Sequence, residues 1–453
     1  MPAARPTFPA NANRPSWGMT WLRSLLAFLL SIALTTATAA QRPPARDSLD
    51  AVARDYVRLV LELGERDDGY VDAYYGPPEW REAAHANPRT VEQLAAAAAE
   101  LSSRAAAMTV PAGSLEARRL AFLIAQLTAA QTRLRMIQGE RLSFADEARG
   151  LYGVTPDIRP LSEYEPVLAS IERLVPGSGP LADRVDAFQG RFVIPRDRLD
   201  AVMRAAIDEC RRRTVGHIAL PEGEAFTLEF VTGRSWSGYN WYQGHYRSLI
   251  QVNTDLPARM SRAIDLGCHE GYPGHHAFNA LLEQKLARGR GWVEYMVYPL
   301  YSPQSFIAEG TANYGIELAF PGDERLEFET RVLYPLAGLS TEHAAEYLAL
   351  QKAIDQLSGA RFTIARDYLE GRIARDQAIE LTQRYQLVSR ARAEQLIAFN
   401  DQYRAYVINY GLGRDMVARY ILAAGPDPAA RWAAMERILS EPTLPADLVL
   451  PGR

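Results

Sequence analysis

Three of the chain's seven histidines fall within eight consecutive residues, His269-Glu270-Gly271-Tyr272-Pro273-Gly274-His275-His276. Imidazoles and a carboxylate this close in sequence can converge on one metal ion. Two histidines and a later acid, with a Glu beside the first histidine, form the donor set for zinc-assisted amide hydrolysis.

A regular zinc helix spaces its histidines four apart so that both face the same way. Here the fourth residue after His269 is Pro273, which cannot ligate a metal and disfavours helix at Tyr272. The spacing therefore predicts a kink or bulge through Gly271 to Gly274, one that brings His275 to the place of the second ligand. In an unbroken helix His276 would share the face of His269 about two turns, roughly 10 Å, away. His269 and His275 are the candidate ligands, with His276 as the alternative ligand or a hydrogen-bonding neighbour. Glu270, one residue on from His269, points elsewhere. That suits a general base over the open metal position, taking a proton from a bound water whose pKa zinc lowers to about 7.

A third ligand is needed. Glu309 stands in Ser305-Phe306-Ile307-Ala308-Glu309-Gly310-Thr311-Ala312-Asn313-Tyr314, a run otherwise apolar or small. A carboxylate in such a run is expensive to bury unless paired or metal-bound, and Gly310 allows close backbone approach. Glu317, two turns on, competes with it. Asp265, one turn before His269, is placed to orient that imidazole. Tyr410 is the candidate catalytic donor to a tetrahedral oxyanion. Arg414, and His245 and Tyr246 from the preceding hairpin, are candidate substrate-binding groups.

His-Glu-x-x-Pro-Gly-His-His, followed some forty residues later by Glu309-Gly310-x-Ala312-x-Tyr314, resembles the bacterial family called domain of unknown function 885. That family is similar to the largely helical zinc peptidases of the gluzincin type. The likeness is strongest from about Tyr239 to Leu318, and Tyr406 to Arg414 resembles the family's closing Tyr-x-x-Gly helix. The resemblance implies His269 and one of His275/His276 as ligands, Glu270 as base, Glu309 as third ligand and one Zn2+ ion as cofactor.

These residues need a scaffold, and the pattern around them is mainly α. Apolar spacing predicts helices over residues 48–65, 114–139, 195–213, 327–357, 361–369, 375–386 and 391–406, and Thr90-Val91-Glu92-Gln93 opens another with a capping box. Residues 68–78, rich in turn formers, read as a loop. Phe226, Leu228 and Phe230 alternate with polar residues and Ser248 to Asn253 looks extended. Residues 225–253 thus predict a small antiparallel β-sheet just before the metal-binding helix, where an edge strand could pair with an extended substrate. The metal site spans about residues 265–317.

With 48% hydrophobic and 23% charged residues, the chain has the make-up of a globule with a sizeable core. A net charge of -4 argues against nucleic acid as a partner. Arg14 and Arg23, the apolar stretch from Leu25 to Leu34 and Ala37-Thr38-Ala39-Ala40 form a secretory signal peptide over residues 1–40, too short for a stable membrane span. Residues 41–453 are expected to form one helical catalytic domain, exported to the periplasm or secreted. Only Cys210 and Cys268 are present. Cys268 reads as a buried, inert thiol, and spacing does not say whether the two meet. The expected function is an exported zinc metallopeptidase acting on a peptide or small amide substrate. The alternative is a metal- or peptide-binding periplasmic protein that keeps the site without catalysis.

Overall fold

The computed structural model describes residues 48–234 and 236–450, so the expected signal peptide lies outside the described residues. The chain folds as mainly α. Hydroxyl side chains open the helices where the sequence offers them: Ser48 accepts from Ala51 N at the start of Leu49–Gly64, and Ser114 from Ala117 N before Leu115–Ile137. Thr90 and Gln93 form the reciprocal capping box of Val91–Ala106. Each cap satisfies a backbone N–H that the first helical turn leaves without a partner.

The helical stretch expected over residues 327–357 is broken. Gly338, at φ 67°, ends the Tyr334–Ala337 turn in the left-handed conformation, and a new helix begins only at Ala344. Residues 391–406 break likewise after Arg390–Tyr403, where Arg404 takes φ 51° before the Ile408–Leu422 helix.

Residues 68–78 are not all loop. Val71–Tyr74 (β1) pairs antiparallel with Val297–Pro299 (β5), a partner more than two hundred residues away that local composition could not reveal. The expected sheet is present over Ala225–Val231 (β2), Gly238–Gly244 (β3) and Arg247–Asn253 (β4), in the order β2-β4-β3. β3 and β4 form the antiparallel hairpin, whereas β2 runs parallel to β4, with Ala225 opposite Arg247 and Val231 opposite Asn253. The sheet is therefore mixed, with β3 as one edge.

Two apolar clusters hold the fold. The larger gathers Val57, Leu127, Ile207, Ile264, Phe306 and Val417 and surrounds the His269 segment. The smaller, with Ile171, Leu350, Ile379 and Ile397, packs the Ala360–Leu369, Arg375–Gln386 and Arg390–Tyr403 helices together. A cavity of about 560 Å³ is lined both by residues from around the first cluster and by helices that pack on the second.

Candidate metal centre

The Ser261–Leu266 helix widens into a π-type turn, Gly267–Gly271, that carries His269 and Glu270. Tyr272 is extended, the Tyr272–Pro273 peptide is cis, and a fresh helix, His275–Leu282, starts after Gly274. This is the bulge that the proline demanded. Several long-range contacts fix it. Cys268 is joined to Cys210 of the Leu199–Val215 helix by a disulfide, so the expectation of an inert free thiol is corrected. Gly267 packs so tightly that a Cβ would stand 3.2 Å from Ile207 N. Asn240 Nδ2 donates to the Glu270 carbonyl at 2.7 Å, and Gly274 N to the Cys268 carbonyl at 3.0 Å. Gly274 has no room for a side chain: a Cβ would lie 1.8 Å from the His269 carbonyl oxygen.

The consequence is convergence. His269 Nε2 and His275 Nε2 face each other at 3.1 Å, and Glu309 reaches in from the Pro303–Ala319 helix. Its Oε2 lies 3.3 Å from His269 Nε2 and its Oε1 3.7 Å from His275 Nε2. Glu270 belongs to the same cluster, its carboxylate within 4.8 Å of both imidazole nitrogens. Gly238 on β3 makes space for that carboxylate, since a Cβ there would come within 2.8 Å of Glu270 Oε1.

The donor set fits a zinc ion. Two atoms each about 2.0–2.1 Å from a tetrahedral ion stand about 3.3 Å apart, close to the 3.1 and 3.3 Å spacings found here. Glu309 Oε2 is buried and receives no hydrogen bond, which leaves its lone pairs open to an ion. Oε1 accepts from Tyr406 Oη at 2.8 Å, which aims the carboxylate. Of the two acids, Glu309 turns both of its oxygens to the imidazoles, the placement a third ligand would need.

Electrostatics divide the roles. Burial pushes Glu270 up to about 7; the His269 charge opposes this and Glu309 adds to it. Burial brings His275 down to about 4, the neutral form a ligand requires, against the pull of Glu309. Burial also pulls His269 down, but the adjacent Glu309 and Glu270 carboxylates outweigh it and hold the imidazole above its ordinary value. Glu309 is raised by burial yet ends below the usual carboxylate range because His269 and His275 flank it. Burial, then the Glu309 charge, keeps the Tyr406 and Tyr410 phenols protonated.

The other expected site residues are distributed as follows. Tyr410, on the Ile408–Leu422 helix, lines the cavity with its ring stacked 6.5 Å from that of His269. His276 is turned away. It is fully buried, with Nδ1 2.8 Å from Ser248 Oγ and Nε2 2.9 Å from Glu224 Oε2, so both nitrogens are engaged outside the centre. Asp265 lines the cavity but its carboxylate receives Arg325 Nη1 at 2.9 Å, which corrects its expected role beside His269. Glu317 is held by Arg414 at 2.7 Å, which removes it as a third ligand and occupies the arginine expected to bind substrate.

His245 and Tyr246 are not among the cavity-lining residues. They form the tight turn of the β3–β4 hairpin at φ 54° and 59°, the conformation a two-residue hairpin loop demands. Their backbone N–H groups donate to Glu283 at 3.1 and 3.4 Å, and that carboxylate stabilises the strained turn. Sequence patterning missed Asp72, which β1 brings to the cavity and which accepts a hydrogen bond from Tyr239 Oη. Burial raises Asp72 to about 7, with the Tyr239 hydrogen bond opposing and Glu309 adding. It also gave no role to Tyr406, which entered only as the first residue of the stretch that resembles the family's closing helix.

No family model and no curated protein matches the chain. Solved structures give distant likenesses. A protein designated a lipoprotein, from Colwellia psychrerythraea, is 14% identical at a TM-score of 0.46, covering 78% of this chain and 67% of its own. A second so designated, of unknown function, from Shewanella oneidensis, is 14% identical at 0.39, covering 89% and 80%. M32 carboxypeptidase from Deinococcus radiodurans R1 is 14% identical at 0.31, covering 86% and 88%.

Proposed function

We propose that this chain is an exported zinc-dependent hydrolase cleaving peptide or related amide bonds. The observation that carries the reading is the meeting of His269 Nε2, His275 Nε2 and the Glu309 carboxylate beside Glu270 in one cavity. His269, His275 and Glu309 would hold the ion. Zinc there would act as a Lewis acid and bring the pKa of a water near neutrality. Glu270, near pH 7 by burial, accepts the proton of the attacking water and returns it to the leaving amine. Tyr410, kept protonated, donates a hydrogen bond to the oxyanion that develops on the scissile carbonyl. Residues 238–240 of edge strand β3 line the cavity beside Glu270, where unpaired backbone groups can align an extended peptide.

Export is supported by the Cys210–Cys268 disulfide, a bond that persists in oxidising compartments, together with the signal pattern of residues 1–40. No helix among the described residues is long and apolar enough to cross a membrane. The function also accords with the resemblance to the domain of unknown function 885 family. Retention of Glu270, which the centre does not need merely to hold an ion, favours catalysis over binding alone.

The test is metal analysis joined to turnover. The purified chain should carry one zinc, cleave members of a peptide library, and lose that activity to a chelator. Glu270→Gln should keep its zinc while turnover drops by about 10²–10⁴-fold. A protein that refuses zinc, or an active Glu270→Gln variant, would overturn the reading.

A further inference from the structure

Two of the cavity arginines are matched by carboxylates. Arg325 bridges Asp265 and Glu329, each at 2.9 Å, and Arg414 sits on Glu317 at 2.7 Å and Asp415 at 3.0 Å. Three other cavity arginines differ. Arg361, from the Ala360–Leu369 helix, and Arg392, at the start of the Arg390–Tyr403 helix, have no carboxylate partner among the described residues. Arg361 lies over the rings of Tyr410 at 5.4 Å and Phe399 at 5.7 Å, while the Arg392 guanidinium donates, among the described residues, to the Gln395 side-chain oxygen. Arg262 donates to Ser237 Oγ at 3.0 Å; its approach to Asp265 is 3.8 Å, to an acid that Arg325 holds more closely.

Three guanidinium groups thus gather with too little negative charge between them. Burial brings Arg392 down to about 10, and the charges of Arg262 and Arg361 push the same way. Such a cluster is stabilised by an anion, and planar guanidinium forks match a carboxylate bidentately. The cluster is also close to the chemistry. The Arg262 charge acts on His269 and Glu270, that of Arg361 on Glu309. Arg361 packs on the Tyr410 ring, and that ring stacks with the His269 ring. The α-carboxylate is the anion nearest to a peptide's last bond, one residue of chain beyond it.

Resting on the hydrolase reading above, we propose that Arg262, Arg361 and Arg392 bind the substrate's terminal α-carboxylate, so that the enzyme removes residues from the C-terminal end of peptides. The cluster then acts as the specificity determinant: a carboxylate seated there places the last peptide bond over Glu270 and the two imidazoles. An internal peptide bond would leave the guanidinium groups without an anion.

Binding can be measured without catalysis, on the zinc-loaded Glu270→Gln protein by calorimetry. N-acetyl-trialanine should bind at least about tenfold more tightly than its C-terminal amide, a difference typical of a charge-assisted carboxylate contact. Arg361→Gln and Arg392→Gln should each erase that preference with zinc content unchanged. Equal affinity for acid and amide, or no binding of either, overturns the proposal whether or not the arginine variants fold. A third ligand, N-acetyl-dialanyl-glutamic acid α-amide, binding as tightly as the free acid would also overturn it, by showing that the cluster reads an acidic side chain. With the unsubstituted enzyme, mass spectrometry should show stepwise loss of single C-terminal residues; internal cuts overturn the proposal yet leave the hydrolase reading intact. Absence of zinc sinks the hydrolase reading, and acid-over-amide selectivity is scored separately from it.

Discussion

Gly310 and Gly413 cross so closely that a Cβ on Gly310 would stand 2.7 Å from the Gly413 carbonyl oxygen. Their two helices carry two of the residues proposed to act at the site: Glu309 precedes Gly310, and Tyr410 lies one turn before Gly413. The glycine pair therefore sets how near Tyr410 comes to the metal centre. The obstacle to any side chain is backbone, which cannot swing aside as a flexible side chain would.

Gly310→Ala should accordingly destabilise the fold by about 1–3 kcal/mol, the usual range for overpacking. Turnover should fall more than zinc occupancy, because the Tyr410 helix moves while His269 and His275 stay tied to their own segment. Thermal melting and metal analysis on the same preparation check this. Unchanged melting would mean that the crossing is looser than these contacts describe.

The adjacent histidines should separate cleanly. His275→Ala removes a nitrogen 3.1 Å from its partner in the centre and should weaken zinc binding at least about tenfold, the lower end of what even an indirect neighbour of a metal can do. His276→Ala should keep one zinc per chain but lower stability by about 1–3 kcal/mol, since it strips a hydrogen bond from the buried Glu224. Zinc loss in the second variant alone would reverse the ligand assignment.

How far the sequence reached depends on the range of the interactions involved. Pro273 announced its own bulge, because its ring forbids regular helix wherever the chain goes next, and that argument led from His269 to His275. Glu309 was legible as a charge stranded among small apolar residues. His245 and Tyr246 misled: their chemistry suggested substrate binding, but the tight turn and Glu283, 38 residues from His245, assign them to the scaffold. Asp265 looked free until Arg325, 60 residues away, took its carboxylate. Arg361 and Arg392 carried no local signal at all. An unpaired arginine is visible only once the fold shows which acids do not reach it.

Acid should unfold the protein partly through Glu224. Its side chain is only 2% exposed and is met by Arg211 Nη2 at 2.6 Å, His276 Nε2 at 2.9 Å and the Tyr272 hydroxyl. Burial alone would raise this carboxyl, but the His276 and Tyr272 hydrogen bonds and the Arg211 partner outweigh it and bring it down to about 2 from 4.5. A depressed acid stabilises the fold fully above its unfolded value and loses that contribution as pH falls from about 4.5 towards 2. The contribution is at most about 3 kcal/mol, at 1.36 kcal/mol for each pH unit. Glu224→Gln should therefore be less stable than the parent at pH 7, with the difference shrinking by pH 3 in paired denaturant titrations. A gap that stays constant with pH would show that Glu224 is not held ionised.

Tyr410 offers the sharpest separation of chemistry from architecture. Its ring stacks on that of His269, and burial with the nearby Glu309 charge keeps the phenol protonated well above neutrality. It can thus donate throughout the working range without titrating. Tyr410→Phe preserves the stacked ring and the Arg361 contact and deletes only the donor. If that hydroxyl meets charge that develops during reaction, kcat should fall by about 10²–10³-fold, the scale for one lost oxyanion donor. KM, zinc content and melting temperature should hardly move, because the ground state never used the bond. A rise in KM with kcat intact would instead make Tyr410 a substrate-binding group, and would return the search for the oxyanion donor to the other cavity tyrosines.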